Sequence, residues 1–139
     1  MMCMDERKTV WDPLRKKEVA LTPEEEVRQW CINVLSTAFE IPMHMMMSEA
    51  SLKLGEKRFR ADILVYDRSA SPLMVVECKR PDVPLTQEVL DQAIRYNMVL
   101  NVDYLMITNG TRTYIYSRGE GGSYASVRQV PKYSEMICR

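Results

Sequence analysis

The sequence is short of the side chains that build metal cages. Its 139 residues contain one histidine, His44, and four cysteines, Cys3, Cys31, Cys78 and Cys138, with no C-x-x-C pair among them. A structural zinc site takes four Cys or His ligands at short paired spacings, so none is expected. The scattered cysteines give no disulfide framework and read as free thiols of a reducing cytoplasm. Charge of one sign is also lacking, since nineteen Lys and Arg balance nineteen Asp and Glu. A protein that coats polyanions carries a positive surplus, so any such contact here must come from a local patch. Long hydrophobic runs are absent. Ile41 to Met47 and Pro72 to Val76 are among the longest, far below the ~18 residues of a spanning helix. The charged start through Lys8 has no apolar stretch of a secretory signal. No membrane partner is expected. What remains, 46% hydrophobic and 27% charged residues, is the composition of one globular domain.

Residues 1–21 are charged and unpatterned, with Pro13 inside, and are expected to form an irregular N-terminal arm. Thr22-Pro23-Glu24-Glu25 then reads as a helix start, with Thr22 as cap, Pro23 in the first turn and Glu25 closing a capping box. Val27, Cys31, Val34, Leu35 and Ala38 follow at helical spacing, and Pro42 ends the helix. Met43-His44-Met45-Met46-Met47 offers soft thioethers, but its place after Pro42 fits an adaptable apolar connector. Strands are expected over Ser48 to Leu54, Phe59 to Tyr66 and Leu73 to Cys78, the last apolar on both faces and therefore central. A helix over Leu85 to Leu100 follows, then strands over Asp103 to Thr108 and Arg112 to Ser117, with a turn at Asn109-Gly110. The working domain is thus expected over residues 22–118, with residues 119–139 as a loop and tail. The order helix, three strands, helix, two strands predicts an α/β protein: a mixed sheet flanked by helices.

Three charges fall where strands should bury themselves. Asp62 opens Ile63-Leu64-Val65, and Glu77 and Lys79 close Leu73-Met74-Val75-Val76. Glu77 and Lys79, two apart, share a strand face while Cys78 points the other way. Antiparallel pairing of the two strands would bring Asp62 and Glu77 to one end of the sheet. Two such carboxylates repel unless a cation lies between them, and hard oxygen ligands suit Mg²⁺. A plain ion pair at a strand end is the alternative. On the next helix Gln92 and Tyr96 share a face with Glu88, either as a solvated flank or as a polar rim beside the strand ends. Lys53, Lys57, Arg58 and Arg60 cluster around a single acid, Glu56, and Arg80 follows Lys79. They form either a solvated hairpin or a set of phosphate contacts.

Together these residues resemble the PD-(D/E)xK nuclease superfamily: Asp62, then Glu77-Cys78-Lys79, then Gln92-x-x-x-Tyr96. Ala61 stands where the superfamily usually has proline, which leaves the carboxylate in place. Thr22-Pro-Glu-Glu-Glu-Val-Arg-Gln, Lys57-Arg-Phe-Arg-Ala-Asp-Ile, Val76-Glu-Cys-Lys-Arg-Pro, Leu90-Asp-Gln-Ala-Ile-Arg-Tyr-Asn and Thr108-Asn-Gly-Thr-Arg-Thr-Tyr are similar to the N-terminal domain of type I restriction enzyme R subunits. The resemblance spans roughly residues 10–118. It implies a restriction-endonuclease-like fold with an αβββαβ core and Mg²⁺-dependent hydrolysis of DNA phosphodiester bonds, Mn²⁺ being able to substitute. The metal carboxylates would be Asp62 and Glu77, the catalytic lysine Lys79, and the glutamine–tyrosine pair Gln92 and Tyr96. Related nucleases often place a glutamate of the first helix near the metal. Periodicity turns Glu24 toward the sheet and Glu25 away from it, so Glu24 is the expected contributor. R subunits also carry helicase-type ATPase domains, and these 139 residues contain no G-x-x-x-x-G-K-[ST] loop. Two arrangements stay open: the domain acts alone, or it supplies a nuclease to restriction-modification or helicase subunits in trans. A noncatalytic DNA-binding or assembly module that keeps the fold is the alternative function.

Overall fold

A computed structural model describes residues 8–138. Two strands, β1 (Thr9–Asp12) and β2 (Lys17–Ala20), form an antiparallel hairpin that leads into helix α1 (Pro23–Thr37). Strands β3 (Met46–Leu54), β4 (Lys57–Tyr66) and β5 (Pro72–Cys78) follow, then helix α2 (Gln87–Met98), then β6 (Tyr104–Thr108), β7 (Thr113–Arg118) and β8 (Tyr124–Ser126), and finally the short helix α3 (Tyr133–Met136). Strands β3 to β8 make one six-stranded sheet in chain order. All neighbours are antiparallel except β5 and β6, which run parallel because α2 carries the chain back between them. The αβββαβ order of a restriction-endonuclease-like core is therefore present as α1, β3–β5, α2 and β6.

The central strands are apolar on both faces because a helix covers each side. On β6, Tyr104 and Met106 pack with the α1 residues Val27, Cys31 and Leu35. Leu105 and Ile107, one residue out of phase, pack with Leu90 and Ala93 of α2. Thr22 caps α1 by accepting from the Glu25 amide, and Thr86 caps α2 by accepting from the Val89 amide. The β6–β7 turn closes on Asn109, whose Oδ1 accepts from the amides of Thr111 and Arg112 at 2.9 and 2.8 Å. Gly110 in that turn has φ +89°, a conformation that favours glycine.

The β3–β4 pairing is irregular at one point beside Asp62. The ladder pairs Ser48 with Ile63 and Ala50 with Ala61 but skips the Glu49–Asp62 position between them, where Glu49 has φ 50°. On β4, Ala61 packs on the α2 side and Ile63, two residues on, packs on the α1 side. The strand has thus turned over at Asp62. The register is the same on both sides of the break, so one residue of each strand, Glu49 and Asp62, drops out of the ladder together, with Glu49 in the left-handed region.

Two expectations need correction. Residues 9–20 are a hairpin and not an irregular arm; residues 1–7, Cys3 included, lie outside the described residues. The hairpin escaped notice because each strand has four residues and little apolar alternation, with Trp11 56% exposed. It is tied down by charge: Asp12 is fully buried and accepts from the amides of Leu14 and Arg15 and from Arg15 Nε. The expected tail is likewise part of the sheet and core. β8 pairs with β7, Tyr133 and Met136 are buried, and the Tyr133 hydroxyl donates to the Tyr66 carbonyl at 2.8 Å. The β8 strand and α3 are too short for any periodicity to register. Cys31, Cys78 and Cys138 are free thiols. No helix among the described residues is long and apolar enough to cross a membrane.

Burial raises the Asp12 pKa, but Arg15 and the two backbone amides outweigh it and hold the carboxyl below the ordinary aspartate value. A depressed native pKa stabilises the fold above about pH 4, and that contribution is lost as pH falls through the native value. Asp12→Asn is expected to lower unfolding free energy at pH 7 by about 2 kcal/mol, the scale of hydrogen bonds to a charged group. Urea titrations should show the gap to wild type narrowing between about pH 5 and pH 3; a constant gap would contradict the pairing.

Candidate active site

The β4–β5 ladder pairs Ile63 with Val76, so Asp62 and Glu77 occupy the next position at the same sheet end. Asp62 is held from two directions. Its Oδ2 accepts from the Cys78 backbone amide at 2.7 Å, and its Oδ1 accepts from Arg28 Nη2 at 3.1 Å. Glu77 accepts from the Asn97 side-chain amide at 2.9 Å through Oε1, while its Oε2 lies 3.8 Å from Lys79 Nζ. Asp62 and Glu77 face the same recess of 300 Å³, with Glu24, Arg28, Glu49 and Arg60 around them.

Glu77 also walls a second, 520 Å³ groove lined by Lys79, Gln92 and Tyr96 together with Val83, Val89 and Ala93. Glu77 and Lys79 emerge together because Cys78 between them turns into the α1-side core. The neighbouring Cys31 thiol and burial hold the Cys78 thiol well above its ordinary range, so it is a neutral packing group. Tyr96 is exposed at the groove rim, its ring edge-on to Phe59 at 5.3 Å, and its hydroxyl accepts from the Arg60 amide at 3.4 Å. Strands β4 and β5 and helix α2 thus bring Asp62, Glu77, Lys79, Gln92 and Tyr96 to one end of the sheet.

The first-helix glutamates differ from expectation in part. Glu24 does line the recess, 3.5 Å from Arg28 Nη2 and half exposed. Glu25 does not point away: it is 5% exposed. The capping box is only half formed, because the Glu25 carboxylate turns to cations instead. It accepts from Arg15 Nη2 at 2.8 and 2.9 Å, from Gln29 Nε2 at 2.9 Å, and from Arg28 Nη1. Arg28 is equally buried, and its Nη1 also lies 3.5 Å from Glu49. Burial disfavours its charge, yet Glu25, Asp62 and Glu49 outweigh that and raise its pKa above the ordinary arginine value. An ionic chain therefore runs from Asp12 through Arg15, Glu25 and Arg28 to Asp62.

Sequence reasoning missed Arg28, Arg15, Glu49 and Asn97. The only signals were the i, i+3 spacing of Glu25 and Arg28 and the position of Asn97 just after Tyr96. Asn97 is fully buried, donates to Glu77 and to the Ala93 carbonyl, and keeps its own Oδ1 without a partner among the described residues. Both bonds require its nitrogen, so the amide orientation is fixed by its neighbours.

The basic residues divide by face. Lys53 pairs opposite Arg58 and Ser51 opposite Arg60, which sets Lys53, Arg58 and Arg60 on one face of the β3–β4 ribbon leading out of the recess. Lys57 has the parity of Phe59 and falls on the other face. These four are exposed and make no ion pair among the described residues. Like charges directly opposite each other, as Lys53 and Arg58 are, destabilise a ribbon until an anion joins them. Arg80 is different, since Asp82 takes both its Nε and Nη2 at 3.2 and 2.9 Å.

Residues 23–131 match the family model described as type I restriction enzyme R protein N terminus. Among curated proteins none matches. One similar solved structure is described as a "putative nuclease belonging to DUF820" from Anabaena variabilis, at 11% identity and a TM-score of 0.48, covering 94% of this chain and 89% of that one.

The Asn97–Glu77 bond is testable without any assumption about chemistry. A double-mutant cycle of Asn97→Ala and Glu77→Ala, read by denaturant unfolding, is expected to give a coupling of about 1–3 kcal/mol, the range for a hydrogen bond to a charged group. A coupling near zero would mean that Asn97 does not hold the carboxylate.

Proposed function

Because the chain belongs to the type I restriction enzyme R protein N-terminus family, we propose that it is a divalent-metal-dependent deoxyribonuclease domain whose reaction centre is Asp62, Glu77 and Lys79. The observation that carries the reading is the shared recess: two carboxylates from neighbouring strands converge there, with a lysine 3.8 Å from one of them. The donor set suits Mg²⁺. Among the described residues no three His, Cys, Asp or Glu side chains are grouped to hold a metal alone, whereas Mg²⁺ is commonly held by one or two carboxylates with waters and substrate phosphates completing the shell. Each carboxylate oxygen of Asp62 and Glu77 meets a single protein cation or donor, which leaves lone pairs for a cation. When bound, such a metal would activate water and neutralise charge on the scissile phosphate.

The protein's own groups divide the remaining work. The Cys78 amide and Arg28 orient Asp62, and Asn97 orients Glu77. Lys79, on the face of Glu77, is placed as a cation to orient the attacking water and offset charge in the transition state. Gln92 and Tyr96 border the adjoining groove, where a phosphate or base would lie. Lys53, Arg58 and Arg60 lead the DNA backbone away along the ribbon. Glu24 contributes at the recess edge. Arg80 and Lys57 are secondary phosphate contacts, the first because Asp82 already pairs it. Partners follow from the family: DNA, and restriction-modification or helicase subunits that supply ATP-driven movement.

One observation favours the second reading, a noncatalytic module. Both Asp62 oxygens already have partners, as in a self-contained ion pair. Cleavage separates the two. Purified protein with plasmid and single-stranded DNA is expected to cut only with Mg²⁺ or Mn²⁺. Lys79→Ala should slow cleavage at least ~10²-fold, the scale of a lost charge-stabilising group, with DNA affinity retained. Glu77→Ala should lose metal binding and cleavage together. DNA binding with no metal-dependent cleavage by wild type would establish the noncatalytic module instead.

A further inference from the structure

Arg28 stands apart from the residues that the nuclease reading uses. Its side chain is 6% exposed and touches four carboxylates: Glu25, Asp62, Glu24 and Glu49. Its two terminal nitrogens serve all of them, while its Nε is buried without a hydrogen-bond partner among the described residues. An orphaned buried donor costs stability, so the side chain is not placed for the best hydrogen bonding of its own. It is placed for where its charge falls. Around it, Asp12, Glu24, Glu25, Glu49 and Asp62 are met by only two guanidinium groups, Arg15 and Arg28, among the described residues. Carboxylates at this density and burial need positive charge among them.

The position of Arg28 is set from outside the family-matched segment. Arg15, in the turn of the N-terminal hairpin, grips Glu25 with Nη2 and Asp12 with Nε. Glu25 is consequently shared between two arginines, Arg15 through Nη2 and Arg28 through Nη1. Arg28 reaches Asp62 Oδ1, 34 residues away in sequence, with its Nη2. A cation taken up on Asp62 would meet Arg28 as an immediate neighbour of like charge.

We propose that Arg28 is the resident counter-cation of the carboxylate recess. It holds Asp62 and its neighbours together in the metal-free protein and competes with the divalent ion for Asp62, and the hairpin sets the strength of that competition through Arg15 and Glu25. This rests on the reading of Asp62 and Glu77 as a metal site. Arg28 is a positioning residue here; it touches a candidate metal ligand and no substrate atom.

The test is Mn²⁺ titration of the full chain, by calorimetry and by melting temperature. Arg28→Gln is expected to melt lower than wild type without metal and to bind Mn²⁺ at least ~10-fold more tightly, because a neighbouring positive charge has gone. Its melting temperature should therefore rise more on adding Mn²⁺ than that of wild type. Arg15→Ala leaves the recess intact and should change affinity in the same direction by less, as Glu25 draws Arg28 away from Asp62. It also serves if Arg28→Gln fails to fold. An arginine with a purely structural role would lower melting equally with and without Mn²⁺ and leave the affinity unchanged. That result overturns the competition. Wild type that binds no Mn²⁺, or binds it equally well as Asp62→Asn, overturns the metal site itself and this proposal with it.

Discussion

The site depends on one constraint: a partly buried carboxylate within a strand must be matched by positive charge and donors. Asp62 lies between two further carboxylates, Glu49 and Glu77, and three like charges this close need positive charge among them. Arg28 and the Cys78 amide meet that requirement. Much of the surrounding architecture follows from it. Asp62 leaves the β3–β4 ladder opposite Glu49, α1 presents Arg28 and Glu25 on its inner face, and the N-terminal hairpin supplies Arg15 to share Glu25. A two-stranded hairpin with little apolar burial has weak grounds to be ordered on its own. Its order comes from these ion pairs.

The opposite side of the same sheet end is built differently. Glu77 is fixed by a neutral donor, Asn97, from α2, and its cation is the partly exposed Lys79. One carboxylate is thus held by a buried arginine and the other by an amide. The difference places the mobile positive charge, Lys79, on the open groove side, where substrate would arrive. Arg28 lies on the α1 side, between the recess and the hairpin. Tyr96 and the basic ribbon border the open side.

Much of this was legible in the sequence because the strands are long and regular. Leu73 to Val76 is apolar on both faces and had to be central, and Asp62 and Glu77 had to meet once β4 and β5 paired antiparallel. The Glu-Cys-Lys spacing fixed which side chains emerge together. What could not be read has physical causes. Glu25 satisfied a capping pattern and an ion-pair role equally well, and only the presence of Arg15 decides between them. Arg28, Glu49 and Asn97 act through partners 20 or more residues away, and the break in the β3–β4 ladder at Glu49 is marked by no pattern. The hairpin, β8 and α3 are each too short to carry a readable period.

The central claim is that Asp62 and Glu77 jointly hold a divalent ion at this sheet end. Anomalous diffraction from crystals grown with Mn²⁺ tests it most directly. A peak is predicted in the recess between the two carboxylates, lost in Asp62→Asn crystals. A peak at other residues, or an empty recess with Arg28 still seated on Asp62 at saturating Mn²⁺, would contradict it.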